Sequence, residues 1–305
     1  MATEIAFNRA FACEYGVAET LSPLVRRVVA RNASPFTFKG TGTYVIGHGK
    51  VAVIDPGPGL ADHVAALLQA LGGETVTHIL ITHTHLDHSP AAAAVKAATG
   101  ARTYGYGRHG SVRAEDRGGV GGTTEEGGDH DFVPDVVLRE GASLEGPGWR
   151  LAAVETPGHT SNHLCFHLAE ENTLFSGDHV MGWSTSVITP PDGDMASYMR
   201  SLGKLLRRED ALYRPTHGAE IHDPRPYVAS FIAHRNERSD AILARLAAGD
   251  ETIAAIVRHV YIGLDPRLTQ AAGRSVLAHL IALAEDGRVV ADGPPRLDAR
   301  YRLKR

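Results

Sequence analysis

The sequence His-Thr-His-Leu-Asp-His at residues 83–88 places four side chains that can bind a metal ion within six consecutive positions. An apolar, β-branched run at 77–82 precedes it and predicts a buried strand, and an alanine-rich segment at 90–99 follows it and predicts a helix. In α/β folds, ligands bind beyond the carboxyl ends of such strands. The hexapeptide therefore indicates a binding site at the edge of a sheet.

The hexapeptide can serve two cations, because its side chains leave the backbone in different directions. Side chains alternate along an extended strand end, so we expect His83 and His85 to point to the same side. Asp87 and His88 lie at the turn into the helix, where a second direction is available. Each cation needs further ligands, and these must come from elsewhere in the chain.

Three more segments carry an isolated histidine or aspartate after a predicted strand and beside glycine or proline. They are TPGHTS with His159, FSGDH with Asp178 and RPTHG with His217. Taken singly, each is more typical of a hydrogen-bonded loop residue than of a metal ligand. Together with the hexapeptide, in a chain with 17 histidines, they predict a metal site, since imidazole is the commonest metal ligand in proteins.

Composition narrows the class of protein. A chain of 305 residues that is 43% hydrophobic and 22% charged is globular, which excludes a disordered chain, a collagen or a coiled coil. Two cysteines are too few for a disulfide scaffold, and a net charge of -4 excludes a strongly cationic nucleic-acid-binding protein. No apolar run reaches the ~18 residues that cross a bilayer, and the first residues carry no export signal. We therefore predict a cytoplasmic protein without a membrane partner.

The motif HTHLDH with the later GHT, GD and THG resembles the metallo-β-lactamase superfamily over about residues 20–222. The resemblance implies an α+β fold, an αβ/βα sandwich of two mixed β-sheets flanked by helices, with a two-metal site at one edge. It also implies that Asp55 supports the histidine loop without binding metal. The implied ligands are His83, His85 and His159 for metal 1, Asp87, His88 and His217 for metal 2, and Asp178 as the bridge between them.

The implied ligands indicate which metal binds and how it acts. Five imidazoles and two carboxylates without a thiolate favour Zn²⁺, two ions per chain, although Fe and Mn also accept nitrogen and oxygen ligands. A water that bridges two such cations has a pKa of about 7, so hydroxide is available at neutral pH. Asp87 is the predicted catalytic residue, which orients the hydroxide and relays a proton. For the general acid, His163, His179 and His222 are candidates, each more typical of a supporting residue.

From about residue 223 the predicted elements change from alternating strands and helices to mainly helices. This change predicts two domains, a hydrolase domain over 1–222 and a winged-helix-like domain over 223–305. Helices predicted over 234–248, 252–261 and 268–285 precede two short β-like runs around Gly-Pro-Pro. This tail, entered through FIAHRNER, resembles the β-lactamase-like protein 2 branch, which includes single-strand-specific endoribonucleases. From residue 240 onward, ten basic residues against eight acidic ones give a net charge of only +2. We therefore favour a packing, substrate-rim or dimerisation role for the tail over contact with RNA.

The resulting hypothesis is a dinuclear-zinc metallo-hydrolase that cleaves an ester-like bond, a thioester, lactone or amide, of a small-molecule substrate. The alternative is an endoribonuclease that hydrolyses phosphodiester bonds of single-stranded RNA. Two other classes stay open: a binding protein that uses the winged helix, and a redox iron enzyme. The glycine-rich stretch at 105–131 predicts a long loop, either a surface insertion or a flap over the site. The sequence does not determine the oligomeric state.

Overall fold

The computed structural model describes residues 4–110 and 127–304. Most of the predicted loop at 105–131, namely 111–126, lies outside the described residues, and only its two ends can be compared with the prediction. The fold consists of two β-sheets, six α-helices and a short hairpin in the described part of the chain.

The first sheet contains seven strands that follow each other in chain order. The first four strands pair antiparallel, and the last three continue the sheet in parallel. The strands are β1 (Ala18–Ser22), β2 (Val25–Val29), β3 (Gly42–Ile46), β4 (Lys50–Ile54), β5 (Thr75–Leu80), β6 (Arg102–Gly105) and β7 (Val136–Val137). The turn at residues 47–50 joins β3 and β4 into an antiparallel hairpin.

The second sheet contains five strands in the order β12-β11-β10-β9-β8. Its strands pair antiparallel except for the parallel pair β11–β12. They are β8 (Ser143–Gly146), β9 (Trp149–Glu155), β10 (Leu164–Leu168), β11 (Thr173–Gly177) and β12 (Leu212–Pro215). Both sheets are therefore mixed, as the resemblance implied.

The two sheets pack face to face because their inward side chains are large and apolar. Tyr44 and Ile54 of the first sheet share a buried cluster with Leu151, Phe166 and Phe175 of the second. Side chains alternate between faces along a strand. The alternate residues of each strand therefore point to the outer face of their sheet, where they contact helices.

Six helices cover the outer faces and the C-terminal region. They are α1 (Ala61–Ala70), α2 (Ala91–Thr99), α3 (Met195–Leu206), α4 (Pro224–Ala247), α5 (Ile253–Val260) and α6 (Thr269–Glu285). Leu67 of α1 and Val95 of α2 pack against Val53 of the first sheet, and Leu202 of α3 packs against the second. The predicted αβ/βα sandwich is thus the observed architecture.

The C-terminal region forms a core of its own. Val276 and Leu280 of α6 pack with Ile256 of α5 and with the hairpin β13 (Val289–Ala291) and β14 (Tyr301–Leu303). Helices followed by a hairpin agree with the predicted winged-helix-like outline. No helix in residues 4–110 and 127–304 is both long and apolar enough to cross a membrane. The cytoplasmic location stays a prediction.

The helix α4 is shared between the two regions, and the predicted start of this helix at residue 234 is wrong. It begins at Pro224, ten residues earlier. Its first half buries Val228 and Phe231 in the core of the hydrolase region, and its second half buries Ile242 and Leu246 in the C-terminal core. The boundary at residue 222 stays a prediction, but the two regions are joined by a continuous helix.

Candidate metal centre

Asp55 ties together the strand ends that carry the histidines. It follows β4, is fully buried and adopts a left-handed φ of 48°. Its carboxylate accepts hydrogen bonds from Thr82 (N at 2.8 Å, Oγ1 at 2.7 Å), from His88 Nδ1 at 2.9 Å and from Thr216 Oγ1 at 3.1 Å. These residues follow β5 and β12, so one carboxylate fixes the ends of three strands. The predicted supporting role of Asp55 matches this geometry.

The first group of side chains consists of three imidazoles with converging nitrogens. His85 Nδ1 lies 3.0 Å from His83 Nε2 and 3.1 Å from His159 Nε2. His159 donates from Nδ1 to the carbonyl of Val187 at 2.6 Å, which leaves its Nε2 with a lone pair. The three nitrogens are close enough to hold one metal ion.

The second group consists of a carboxylate and two imidazoles. Asp87 Oδ2 lies 3.1 Å from His217 Nε2 and 3.3 Å from His88 Nε2. His217 donates from Nδ1 to the carbonyl of Gly40 at 3.1 Å. His88 likewise donates from Nδ1, to the carboxylate of Asp55. A partner at Nδ1 orients a metal-binding histidine, so both rings present Nε2 to the same point.

Asp178 lies between the two groups. Its Oδ2 is 3.8 Å from His159 Nε2 in the first group, and 3.6 Å and 3.3 Å from Nε2 of His88 and His217 in the second. Its Oδ1 and His88 Nε2 are buried, and neither has a hydrogen-bond partner among the described residues. Buried polar atoms normally have partners. This donor set and its unpaired atoms fit a pair of divalent cations.

The electrostatics of the cluster favour the protonation states that bind metal. Burial and the neighbouring rings hold the pKa of His83 and His85 well below the usual range, so both imidazoles are neutral. Burial opposes ionisation of Asp178, but His217 and His88 hold the pKa of its carboxyl well below the usual range. Burial likewise opposes protonation of His217, but Asp178 raises its pKa to about 10. A cation at His217 displaces that proton, so binding there depends on pH.

The three general-acid candidates occupy different environments. His163 is buried, pairs with Thr156 Oγ1 at 2.8 Å and accepts a hydrogen bond from the backbone N of Asp178 at 3.2 Å. The ring of His179 packs against Tyr198 at 4.5 Å between centroids, and burial lowers its pKa to about 3. The side chain of His222 is 80% exposed. His163 therefore supports Asp178, and His179 belongs to the core.

A cleft of about 280 Å³ opens onto the cluster. Its walls combine apolar side chains with two hydroxyl groups, and no lysine or arginine lines it among the described residues. Besides the candidate ligands and Gly127, the lining residues are Ser34, Phe36, Thr37, Leu86, Met181 and Val187. Sequence reasoning missed these residues, because single apolar or hydroxyl residues in separate loops follow no motif or period.

The structure brings all seven predicted site residues together, and comparisons with known proteins agree with the fold around them. Residues 37–217 match the metallo-beta-lactamase superfamily, which is more than half of the chain. The chain belongs to the metallo-β-lactamase superfamily. Residues 252–296 match the beta-lactamase associated winged helix domain, which confirms the predicted nature of the C-terminal region.

Three curated proteins illustrate the relatives of this superfamily member. It is 29% identical to the lactamase-like protein adaB of Aspergillus niger, over 97% of this chain and 94% of the other. It is also 29% identical to a beta-lactamase-like protein 2 homolog of Caenorhabditis elegans, over 89% and 88%. It is 31% identical to the atrochrysone carboxyl ACP thioesterase AgnL7 of Paecilomyces divaricatus, over 75% and 66%.

A solved structure shows the same architecture. The crystal structure of a metallo-beta-lactamase family protein from Thermus thermophilus superposes with a TM-score of 0.74 at 28% identity, covering 93% of this chain and all of the other. Members of the superfamily and the thioesterase relatives are hydrolytic enzymes, and this chain is a hydrolase of the same superfamily. The ligand roles of the seven residues stay a prediction.

Proposed function

We propose that this protein is a dinuclear-zinc hydrolase that cleaves the thioester of a small molecule with an apolar acyl group. The observation that carries the proposal is the position of Asp178, whose Oδ2 lies within 3.8 Å of ring nitrogens from both imidazole groups. A carboxylate in that position suits two cations that share a ligand. The absence of a thiolate from the donor set favours zinc bound through nitrogen and oxygen.

We assign the first ion to His83, His85 and His159, the second to Asp87, His88 and His217, and the bridge to Asp178. When bound, two such ions supply a water with a pKa of about 7 and a Lewis acid for the substrate carbonyl. Fe or Mn is accepted by the same donors.

Asp87 is the residue that we propose to orient the attacking water and to relay its proton. Its side chain is 24% exposed, whereas the side chain of His88 in the same group is fully buried. Thr41 donates from Oγ1 to Asp87 Oδ2 at 3.2 Å, which holds the carboxylate in its rotamer. A carboxylate that is open to the cleft and fixed by a hydroxyl is placed to act as a general base.

The cleft favours an apolar acyl group. Phe36, Met181 and Val187 offer aromatic and aliphatic surface, and Ser34 offers a hydroxyl group for a carbonyl or amide. The choice of a thioester among ester-like bonds rests on the relative that is named as an ACP thioesterase. A lactone or an amide presents the same electrophilic carbonyl as a thioester and remains an alternative substrate class.

Hydrolysis of single-stranded RNA fits the cleft less well. RNA-binding surfaces depend on lysine and arginine to neutralise phosphates. Neither residue type lines the cleft within the described ranges, and the segment from residue 240 onward has a net charge of only +2. We therefore propose a small-molecule substrate.

An activity panel on zinc-quantified protein tests the proposal. The substrates are a short-chain and a long-chain acyl thioester, a lactone, a chromogenic cephalosporin and a single-stranded RNA. We expect the highest kcat/KM on the long-chain thioester, and loss of turnover in Asp87→Asn with little change in KM. The exposed Asp298→Asn is the matched control and should keep full activity. Cleavage of RNA without thioester hydrolysis would overturn the proposal.

A further inference from the structure

Arg235 of helix α4 is a buried cation that contacts Ser186, in the segment that follows the candidate ligand Asp178. It is only 4% exposed, and its guanidinium lies over the ring of Tyr198 at 5.4 Å from the centroid. Its Nη2 donates a short hydrogen bond to the backbone carbonyl of Ser186. Burial of a charge is costly unless specific partners compensate it. The position of this side chain therefore calls for a reason beyond packing.

The peptide that Arg235 holds is connected to His159 of the first group and to Asp178, which lies between the two groups. The single hydroxyl proton of Ser186 is shared between two backbone carbonyls, that of Asp178 at 2.6 Å from Oγ and that of His179 at 2.8 Å. The next residue, Val187, accepts the hydrogen bond from His159 Nδ1 at 2.6 Å. One dipeptide thus orients the imidazole of His159 through a carbonyl and the loop of Asp178 through a hydroxyl.

Tyr198 completes this network from helix α3. Its hydroxyl donates to the carbonyl of His179 at 2.8 Å and lies 3.2 Å from Ser186 Oγ. The guanidinium of Arg235 lies over the face of the same ring. Helix α3 through Tyr198 and helix α4 through Arg235 therefore both contact Ser186.

We propose that Arg235 is a positioning residue for the metal centre: by fixing the Ser186–Val187 peptide, it sets the orientation of His159 and Asp178. The inference rests on the ligand roles given under the proposed function. Residues that orient metal ligands typically change metal affinity about 10- to 100-fold when they are replaced. Helix α4 continues from this position into the C-terminal core.

The chain offers a matched control one turn further along the same helix. Arg238 also donates to a backbone carbonyl, that of Val260 at 2.8 Å, and also lies over a tyrosine ring, that of Tyr261 at 4.6 Å. Its partners belong to the C-terminal region and do not touch the candidate ligands. Arg235→Met and Arg238→Met therefore remove similar contacts, but only the first affects the dipeptide.

The test measures zinc affinity by competition with a chelator, together with kcat and KM on the best substrate of the panel. We expect Arg235→Met to lose about 10- to 100-fold in zinc affinity and to lower kcat with KM nearly unchanged. Arg235→Lys, which keeps the charge and a donor, should recover part of both. Arg238→Met should keep the zinc affinity of the wild type even where its thermal stability falls.

A second variant keeps the inference testable if Arg235→Met does not fold. Ser186→Ala leaves Arg235 in place and removes the hydroxyl that holds the Asp178 backbone, so it should also lose zinc affinity. Wild-type zinc affinity in folded Arg235→Met or in Ser186→Ala would overturn the inference, as would an equal loss in Arg238→Met. A wild-type protein that binds no zinc would instead contradict the proposed function.

Discussion

The imidazole of His88 donates from Nδ1 to the carboxylate of Asp55 at 2.9 Å, and this contact turns its Nε2 toward Asp87 and Asp178. The carboxylate that directs the ring also holds the strand ends through Thr82 and Thr216. The strand ends and the orientation of the candidate ligand His88 therefore depend on the same buried side chain.

Replacement of Asp55 by Asn tests this relationship. The amide keeps the shape but loses the charge that favours His88 Nδ1–H, so we expect zinc affinity to fall about 10- to 100-fold. We also expect a lower unfolding temperature, since a charged acceptor of several hydrogen bonds is lost. Zinc content and thermal unfolding measure the two effects. Asp62→Asn on the surface of α1 is the control, and unchanged zinc affinity in Asp55→Asn would contradict the assigned role.

Replacement of Asp178 by Asn tests the bridge. Asn keeps the shape of the side chain but removes the negative charge between two dications, which then repel each other. We expect one zinc ion to be retained weakly and turnover to fall by several orders of magnitude. Zinc per chain after dialysis gives the result, and two tightly bound ions in Asp178→Asn would show that another residue bridges the metals.

Much of the site was predictable because metal ligands are identified by residue type and local spacing. The hexapeptide at 83–88 and the isolated His159, Asp178 and His217 carry that signal in the sequence itself. The cleft residues Phe36 and Met181 carry none, since their role arises only when separate loops meet. The burial of Arg235 could not be predicted either, because a single arginine in a helical segment is typical of an exposed helix face.

The fold was predictable where apolar runs end at clear turns, and less so at α4. The sequence prediction started this helix at residue 234, although Pro224 and Pro226 precede that position. Proline is tolerated in the first turn of a helix, where its missing N–H has no partner in any case. The helix therefore begins at Pro224, and Val228 and Phe231 join the hydrolase core.

The stability of chelator-treated protein should depend on pH through His217. The carboxylates of Asp178 and Asp87 outweigh the effect of burial and raise its pKa to about 10, against about 6.5 in an unfolded chain. The protonated ring therefore stabilises the fold fully below pH about 6.5, and the contribution is lost as pH rises toward about 10. Thermal unfolding of wild type and His217→Asn should differ most near pH 6.5 and converge toward pH 10. A difference that grows with pH would contradict the assignment.

Salt should have little effect on catalysis. A substrate without phosphate contacts releases few counterions, so kcat/KM for a neutral thioester should change less than about twofold between 50 mM and 200 mM salt. RNA cleavage would instead weaken steeply over that range. The measurement is kcat/KM for both substrates in one salt series, and a single-stranded RNA activity that collapses with salt would favour the endoribonuclease alternative.

The most direct test of the central claim is the rate of thioester hydrolysis as zinc is returned stepwise to chelator-treated protein. We expect negligible activity without metal and a maximum at two zinc ions per chain. His83→Ala, which lacks a ligand of the first ion, should not recover activity at any zinc concentration, whereas the exposed His48→Ala should behave as wild type. Full activity in the metal-free protein, or a maximum at one ion, would contradict the account.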